Sequence, residues 1–479
     1  MASELQQAFD PERFREQGHQ IVDLLADFLG RSLQKEGLPV LPDIDPEAML
    51  SRWSGEFPRK PEPSGRLETI IGRVLSDSNN LQHPRYVGHQ CCTTLPLAAV
   101  CDLVGSFLNN GTAIYEMGPV NVAMEKRLVQ WMCGLVGYGE EADGVFTHGG
   151  TVGNLTALLA ARQARTSYDV WKHGVDSSQP LTVLVPTQCH YSVTRAVSVM
   201  GLGEDAVSEV PMDDRFHMDL GAARECYEEA VERGRQVIAI VGNGCSTATG
   251  SYDPLEKIAD FAEEHGLWFH VDGAHGASAL LSGKYRHLLD GLDRADSLVW
   301  DAHKMLMTPA LATAVLFRDG AHSYQAFSQK ASYLFEKESR EEWYNFAHRT
   351  MECTKSMMGM KLYVALAVLG TDLFSEFVTA SYDLTDAFAR EIQDSPHFEL
   401  AVEPESNIIC FRYRKPGVED LNALQRQIRR KVLQGERFYL VQTDLGGRLY
   451  LRCTLINPNT TLDDLKDLLE TIREAAAGL

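Results

Sequence analysis

The chain has 479 residues, 44% hydrophobic and 23% charged, the composition of an ordinary globular protein too long for one simple core. Its formal charge of −21 argues against nucleic acid or an anionic membrane as partner, while leaving room for a locally basic site. Residues 1–10 lack the basic and apolar regions of an export signal, and no stretch reaches the roughly 18 apolar residues of a membrane span. The ten cysteines, none in Cys-x-x-Cys spacing, are therefore expected as free thiols in a reducing cytoplasm.

In chain order, residues 14–29 place Ile21, Leu24, Leu25, Phe28 and Leu29 at helical spacing on one face. Residues 37–64, rich in proline and acidic residues, read as an extended connector. A lone amphipathic helix on such an arm cannot bury its stripe by itself, so it is expected to pack on another subunit or across the main domain. From about residue 80 to 319, helical stretches alternate with short β-rich runs. The clearest runs begin at Val183, Val237, Leu267, Ser297 and Ala312, with helical patterns over residues 154–164 and 254–264 between them. Such alternation predicts an α/β fold with a mostly parallel sheet covered on both faces. Residues 353–377 read as one long helix. The alternating runs Ile408-Ile-Cys-Phe-Arg-Tyr, Phe438-Tyr-Leu-Val and Leu449-Tyr-Leu-Arg predict a small α+β domain. The organisation expected is an N-terminal helical arm and linker over residues 1–80, a large domain over 81–350 and a small C-terminal domain over 351–479.

Several motifs carry chemistry. Thr147-His148-Gly149-Gly150-Thr151 precedes a helical run, where glycines let backbone amides approach an anion. The turn reads as a phosphate cradle or as a simple helix cap, and it lacks the P-loop lysine and the spaced glycines of a dinucleotide site. His190 follows the Val183 strand and is either structural or a ring that stacks on a flat ligand. Asp272 ends an apolar run, Phe269-His270-Val271-Asp272. It either caps the next turn or faces a cation, and Ala274, two residues on, is small enough for a flat ring to lie against. In Ser297-Leu-Val-Trp-Asp-Ala-His303-Lys304 the lysine follows a buried run rather than a surface stretch. Desolvation is expected to lower its pKa and make the amine nucleophilic, with His303 in reach of a phosphate. An amine nucleophile, a carboxylate and an anion cradle at strand ends are what pyridoxal 5'-phosphate requires. A zinc site built from Asp272, His275, His148, His190 and His303 is the rival reading, and it leaves Lys304 and the glycine turn without a purpose; no metal is expected.

Together these motifs resemble the group II amino-acid decarboxylases, pyridoxal-phosphate enzymes with the type I aminotransferase fold. The resemblance covers nearly the whole chain and includes Phe14-Arg-Glu-Gln-Gly-His-Gln-Ile-Val-Asp and His83-Pro84-Arg85-Tyr86. It implies that Lys304 bonds the cofactor and Asp272 holds the pyridine nitrogen protonated. Ala274 would lie under the ring and His190 would stack on its other face. Gly149, Gly150, Thr151 and His303 would surround the phosphate. Thr247, in Cys245-Ser246-Thr247, matches a threonine near the cofactor, with Cys245 where the family has glycine. Tyr333 matches the loop tyrosine that returns a proton to Cα. A tyrosine there implies decarboxylation rather than oxidative aldehyde formation. The loop reaches the partner subunit in the family, which implies an obligate homodimer. Arg452, five residues before Asn457-Pro458, matches an arginine that holds a substrate carboxylate. Tyr115-Glu-Met-Gly-Pro-Val and Ala331-Ser-Tyr-Leu-Phe resemble the branch acting on glutamate, aspartate or cysteine sulfinate. Gly88-His89-Gln90-Cys91-Cys92 departs from that branch's Asn-Gln-Leu-Ser, and there His89 would read an anion or a polar side chain. Aromatic and diamino substrates, another lyase or transaminase on the same fold, and a silent scaffold are the remaining readings.

Overall fold

The computed structural model describes residues 3–60, 66–327 and 342–479. Among the described residues, eleven strands form two sheets. The first sheet contains β1 (Asp143–Thr147), β2 (Leu181–Pro186), β3 (Val207–Val210), β4 (Gln236–Asn243), β5 (Trp268–Asp272), β6 (Ser297–Asp301) and β7 (Thr313–Phe317), in the order β1-β7-β6-β5-β4-β2-β3. β7 runs antiparallel to both neighbours, and the other pairs are parallel. β2, β5, β6 and β7 are buried along their whole length, which explains their continuous apolar runs. The helix Gly150–Arg165 covers part of the sheet. A Cβ at its Gly153 would stand 3.1 Å from Val299 and 3.3 Å from Val315, so glycine there sets the close approach of helix to sheet.

The second sheet contains β8 (Phe398–Leu400), β9 (Ile408–Tyr413), β10 (Val441–Leu445) and β11 (Arg448–Thr454), in the order β10-β11-β9-β8. β10 and β11 form a hairpin whose two-residue turn is Gly446-Gly447, at φ 61° and 78°. Both turn positions need positive φ, which glycine adopts without strain. The strand read from Phe438 begins three residues later, at Val441.

Three further expectations are corrected. Residues 353–377 are not one helix: Met358–Leu369 and Asp372–Gln393 are separate helices bent by 95°, broken at Gly370 with φ 78°. At ψ 164° Gly370 leaves helical backbone altogether, and its N–H donates to the Leu366 carbonyl. The connector contains a short helix, Pro46–Arg52, capped by Asp45. The N-terminal helix runs Pro11–Gln34, longer than the periodic stretch.

The chain divides into two compact units. One comprises Met1–His89, Arg390–Glu399 and Phe411–Leu479, the other Gln90–Ala389 and Leu400–Cys410. Among the described residues, no single helix is long and apolar enough to cross a membrane.

Candidate functional site

In the larger unit, β1, β2, β4, β5 and β6 run in one direction and end on the same side, and a cavity of about 270 Å³ opens there. This is where open α/β sheets collect their ligands. The turn after β1 contributes Gly149, Gly150 and Thr151, the segment after β2 His190, and that after β4 Thr247. β5 ends in Asp272 with Ala274 beyond it, and β6 leads to His303 and Lys304. Nine residues scattered over 156 positions of sequence thus line one cavity. His89 and Arg452 belong to the other compact unit. Tyr333 lies outside the described residues.

Gly149 has φ 95°, a conformation that an L side chain would strain, and it caps the 16-residue helix Gly150–Arg165. The first amides of a helix have no carbonyl partner within it, and the positive end of its dipole faces outward. The first turn carries no acidic residue. Gly150 and Thr151 therefore present donors suited to an anion.

A buried hydrogen-bond chain sets the orientation of Asp272 and His190. Trp268 Nε1 donates to Ser297 Oγ at 2.8 Å, and Ser297 Oγ lies 2.8 Å from His270 Nδ1. His270 Nε2 lies 3.0 Å from Asn154 Oδ1, while Asn154 Nδ2 donates to Asp272 Oδ2 at 2.9 Å and to Ser192 Oγ at 2.8 Å. The Asn154 amide nitrogen faces a carboxylate, so its oxygen must accept from His270 Nε2–H. Burial pushes the His270 imidazole well below its ordinary pKa, with Asp272 acting against the shift. The ring is therefore neutral, and Nδ1 accepts from the Ser297 hydroxyl. On the other branch, His190 Nδ1 accepts from Ser192 N–H at 3.3 Å and lies 2.7 Å from Ser192 Oγ. This leaves the proton of neutral His190 on Nε2. Burial holds His190 below its ordinary pKa, against the pull of Asp272.

Lys304 differs from the sequence expectation. Burial acts to lower its pKa, but the Asp301 and Asp272 carboxylates outweigh burial and the net shift is upward. Lys304 Nζ lies 3.0 Å from Asp301 Oδ2. Burial acts to raise Asp301, but Lys304 and His303 together hold it below the usual carboxylate range. The His303 ring has Nδ1 2.9 Å from the Ala312 carbonyl oxygen and Nε2 3.5 Å from Asp301 Oδ2.

The residues fit pyridoxal phosphate. Asp272 is 7% exposed, accepts from Asn154 and from the Ala274 N–H at 3.2 Å, and forms no ion pair among the described residues. A buried carboxylate so placed suits a pyridinium N–H. The glycine turn offers the phosphate donors, and Lys304 the amine. No group of three or more His, Cys, Asp or Glu among the described residues is arranged to hold a metal ion, so the zinc reading has no geometric support. The pyridoxal-dependent decarboxylase conserved domain matches residues 46–414.

The chain belongs to the pyridoxal-dependent decarboxylase family.

This decarboxylase is similar to the acidic amino acid decarboxylase GADL1 of Homo sapiens, at 30% identity over 89% of this chain and 84% of that protein. It is also similar to the aromatic-L-amino-acid decarboxylase of Bacillus atrophaeus, at 25% identity over 97% and 96%. The crystal structure of mouse CSAD in apo form superimposes with a TM-score of 0.91 at 26% identity, over 98% of this chain and all of that one. The large mostly parallel sheet and the small sheet of the decarboxylase are thus those of the fold expected from the sequence, and its cofactor is pyridoxal 5'-phosphate.

The cavity of the decarboxylase also contains residues that sequence reasoning did not single out for it, among them Asn154, Ser192, Cys245 and Asp301. Asn154 follows Gly150 by four positions on one helix face, and its partner His270 precedes Asp272 by two on one strand face. Those spacings were the available signals.

Proposed function

We propose that this decarboxylase removes a carboxylate of a small acidic L-amino acid, aspartate, glutamate or cysteine sulfinate, as carbon dioxide and releases the amine, working as a cytoplasmic homodimer. The observation that carries the chemistry is the meeting of Lys304, Asp272, His190 and the Gly149-Gly150-Thr151 turn in one cavity. When bound, the cofactor supplies an electron sink for the pair left at Cα when the carboxylate departs. The protein supplies orientation and electrostatics.

In this reading Lys304 bonds the cofactor, and Asp272, held by Asn154, keeps a proton on the pyridine nitrogen. His190 stacks on one face of the ring, with its Nε2–H directed by the Ser192 bonds, and Ala274 leaves room at the other face. Gly150 and Thr151 donate to the phosphate, with Gly149 shaping the turn and His303 and Thr247 beside it. Tyr333 returns a proton to Cα.

For the substrate, Arg452 and His89 are the proposed readers. Arg452 is 6% exposed. Burial, and then the Arg452 and Arg429 guanidiniums, hold the His89 imidazole below its ordinary pKa. A neutral His89 near fixed cations suits a substrate carboxylate or sulfinate. The name and the 30% identity of the GADL1 relative support the acidic choice. The aromatic decarboxylase that aligns over 97% of the chain favours a second reading, an aromatic substrate. A homodimer is supported by the helix Pro96–Leu108, which leaves Val100, Leu103, Val104 and Phe107 exposed, Phe107 at 68%. The cytoplasmic assignment is supported by ten free cysteines.

Carbon dioxide release, measured with aspartate, glutamate, cysteine sulfinate, aromatic and diamino acids, tests the proposal. The acidic amino acids are expected to turn over fastest, with Arg452→Met raising their KM. Fastest release from an aromatic or diamino acid would overturn the substrate assignment. Consumption of the amino acid without carbon dioxide loss, as in conversion to a keto acid, would overturn the reaction.

A further inference from the structure

Two carboxylates act on Lys304. Asp272 is engaged by Asn154 Nδ2 and the Ala274 N–H. The carboxylate that touches the lysine is Asp301, at the end of β6, with Oδ2 3.0 Å from Nζ. The side chain of Asp301 is 3% exposed and that of Lys304 18%. Asp301 is held from three directions: Thr313 Oγ1 donates to Oδ1, its own N–H donates to the Ala274 carbonyl at 3.0 Å, and His303 Nε2 stands 3.5 Å from Oδ2. It also lies against the glycine turn, since a Cβ at Gly150 would stand 3.4 Å from both carboxylate oxygens.

This placement has a chemical consequence. In the free cavity the Lys304 ammonium is the cation that offsets the buried Asp301 carboxylate. To act as a nucleophile, the same nitrogen must shed a proton into a site where Asp301 Oδ2 is within hydrogen-bond reach. We propose that Asp301 is a further catalytic residue, which holds the proton on Lys304 Nζ while the lysine is free and accepts it when the amine is called on. The N–H bond breaks at Nζ and an O–H bond forms at Oδ2. The electron pair stays on nitrogen and makes the C–N bond to the cofactor's aldehyde carbon. Two hydrogens leave nitrogen in all and depart with the aldehyde oxygen as water, so Asp301 ends unprotonated. When the lysine is displaced, the two hydrogens its nitrogen regains come from the ammonium of the incoming amino acid, and the same carboxylate again faces an ammonium. The inference rests on Lys304 being the lysine that bonds the cofactor.

The test uses the full-length chain freed of cofactor. Brief acetylation with acetic anhydride over a pH series, read at Lys304 by peptide mass spectrometry, gives the pH midpoint of amine reactivity. In the wild type that midpoint is expected above those of exposed lysines such as Lys257, a comparison that needs no variant. In Asp301→Asn it is expected to fall by roughly 1–3 pH units, and by less in Asp272→Asn. The rate at which pyridoxal phosphate is captured covalently, measured above both midpoints, where the first proton is already gone and only transfer of the second hydrogen from nitrogen to Asp301 remains, is expected to drop roughly 100-fold in Asp301→Asn and to recover in part in Asp301→Glu. A wild-type midpoint at or below that of Lys257, an unmoved midpoint in a folded Asp301→Asn, a larger shift in Asp272→Asn or an unchanged capture rate would overturn the proposal. Capture at a different lysine would instead overturn the reading of Lys304, so the two failures are distinguishable.

Discussion

Asn154 Nδ2 lies 2.9 Å from Asp272 Oδ2, and the same nitrogen lies 2.8 Å from Ser192 Oγ. One buried amide thus connects the carboxylate at the end of β5 to the serine that orients His190. Asn154 →Ala is expected to remove a hydrogen bond to a charged group, a loss of about 1.5–3 kcal/mol, or about 10- to 100-fold in affinity for pyridoxal phosphate. Asn154→Asp, which sets a second carboxylate against Asp272, is expected to bind more weakly still. Equilibrium dialysis measures both. Wild-type affinity in Asn154→Ala would show that Asp272 does not depend on the chain.

The same chain predicts an acid limit to stability. Burial holds His270 neutral, with its pKa lowered from 6.5 to about 4. Once pH falls below 6.5, the unfolded chain binds a proton that the folded one does not. Stability from this group is fully present above pH 6.5 and is lost as pH falls toward about 4. Thermal melts across that window are expected to fall less steeply for His270→Asn than for the wild type. Parallel curves would assign the acid sensitivity to other groups.

Gly149, at φ 95°, starts the helix that presents the proposed phosphate donors. Gly149→Ala is expected to cost about 1–2 kcal/mol of stability through its left-handed backbone. Cofactor affinity is expected to fall as well, because the first helical amides shift. Thermal melts and a binding titration read the two effects separately.

The helix Pro96–Leu108 provides a test of assembly. Its exposed face includes Leu103 and Phe107, at 51% and 68%. Leu103→Glu with Phe107→Glu is expected to convert the proposed dimer to a monomer in light scattering, with the fold retained. A dimer that persists would place the interface elsewhere.

The parts of this fold that were legible in the sequence were those whose burial is one-sided in its demands. β5 and β6 are buried on both faces, so their runs are continuously apolar and end abruptly at Asp272 and Asp301. β1 and β3 stand at the two edges of the sheet and went unread; β3, only four residues long, is just partly buried. The break at Gly370 was hidden because the flanking stretches share helical periodicity. The nine cavity residues were marked by motifs at strand ends. Asn154 and Asp301 stand in those same stretches, but their roles were not legible, because a polar residue inside a helix or at a strand end looks like a cap until its partners are known. The raised pKa of Lys304 follows from that same gap. Burial alone predicts a lowered value, and Asp301 together with Asp272 reverses it.

The central claim is that Lys304 bonds pyridoxal phosphate in this cavity. Borohydride reduction of the protein loaded with cofactor, followed by peptide mass spectrometry, tests it most directly. The account predicts a phosphopyridoxyl group on Lys304 and none on any lysine of Lys304→Ala. A label on another lysine, or no label on the wild type, would contradict it.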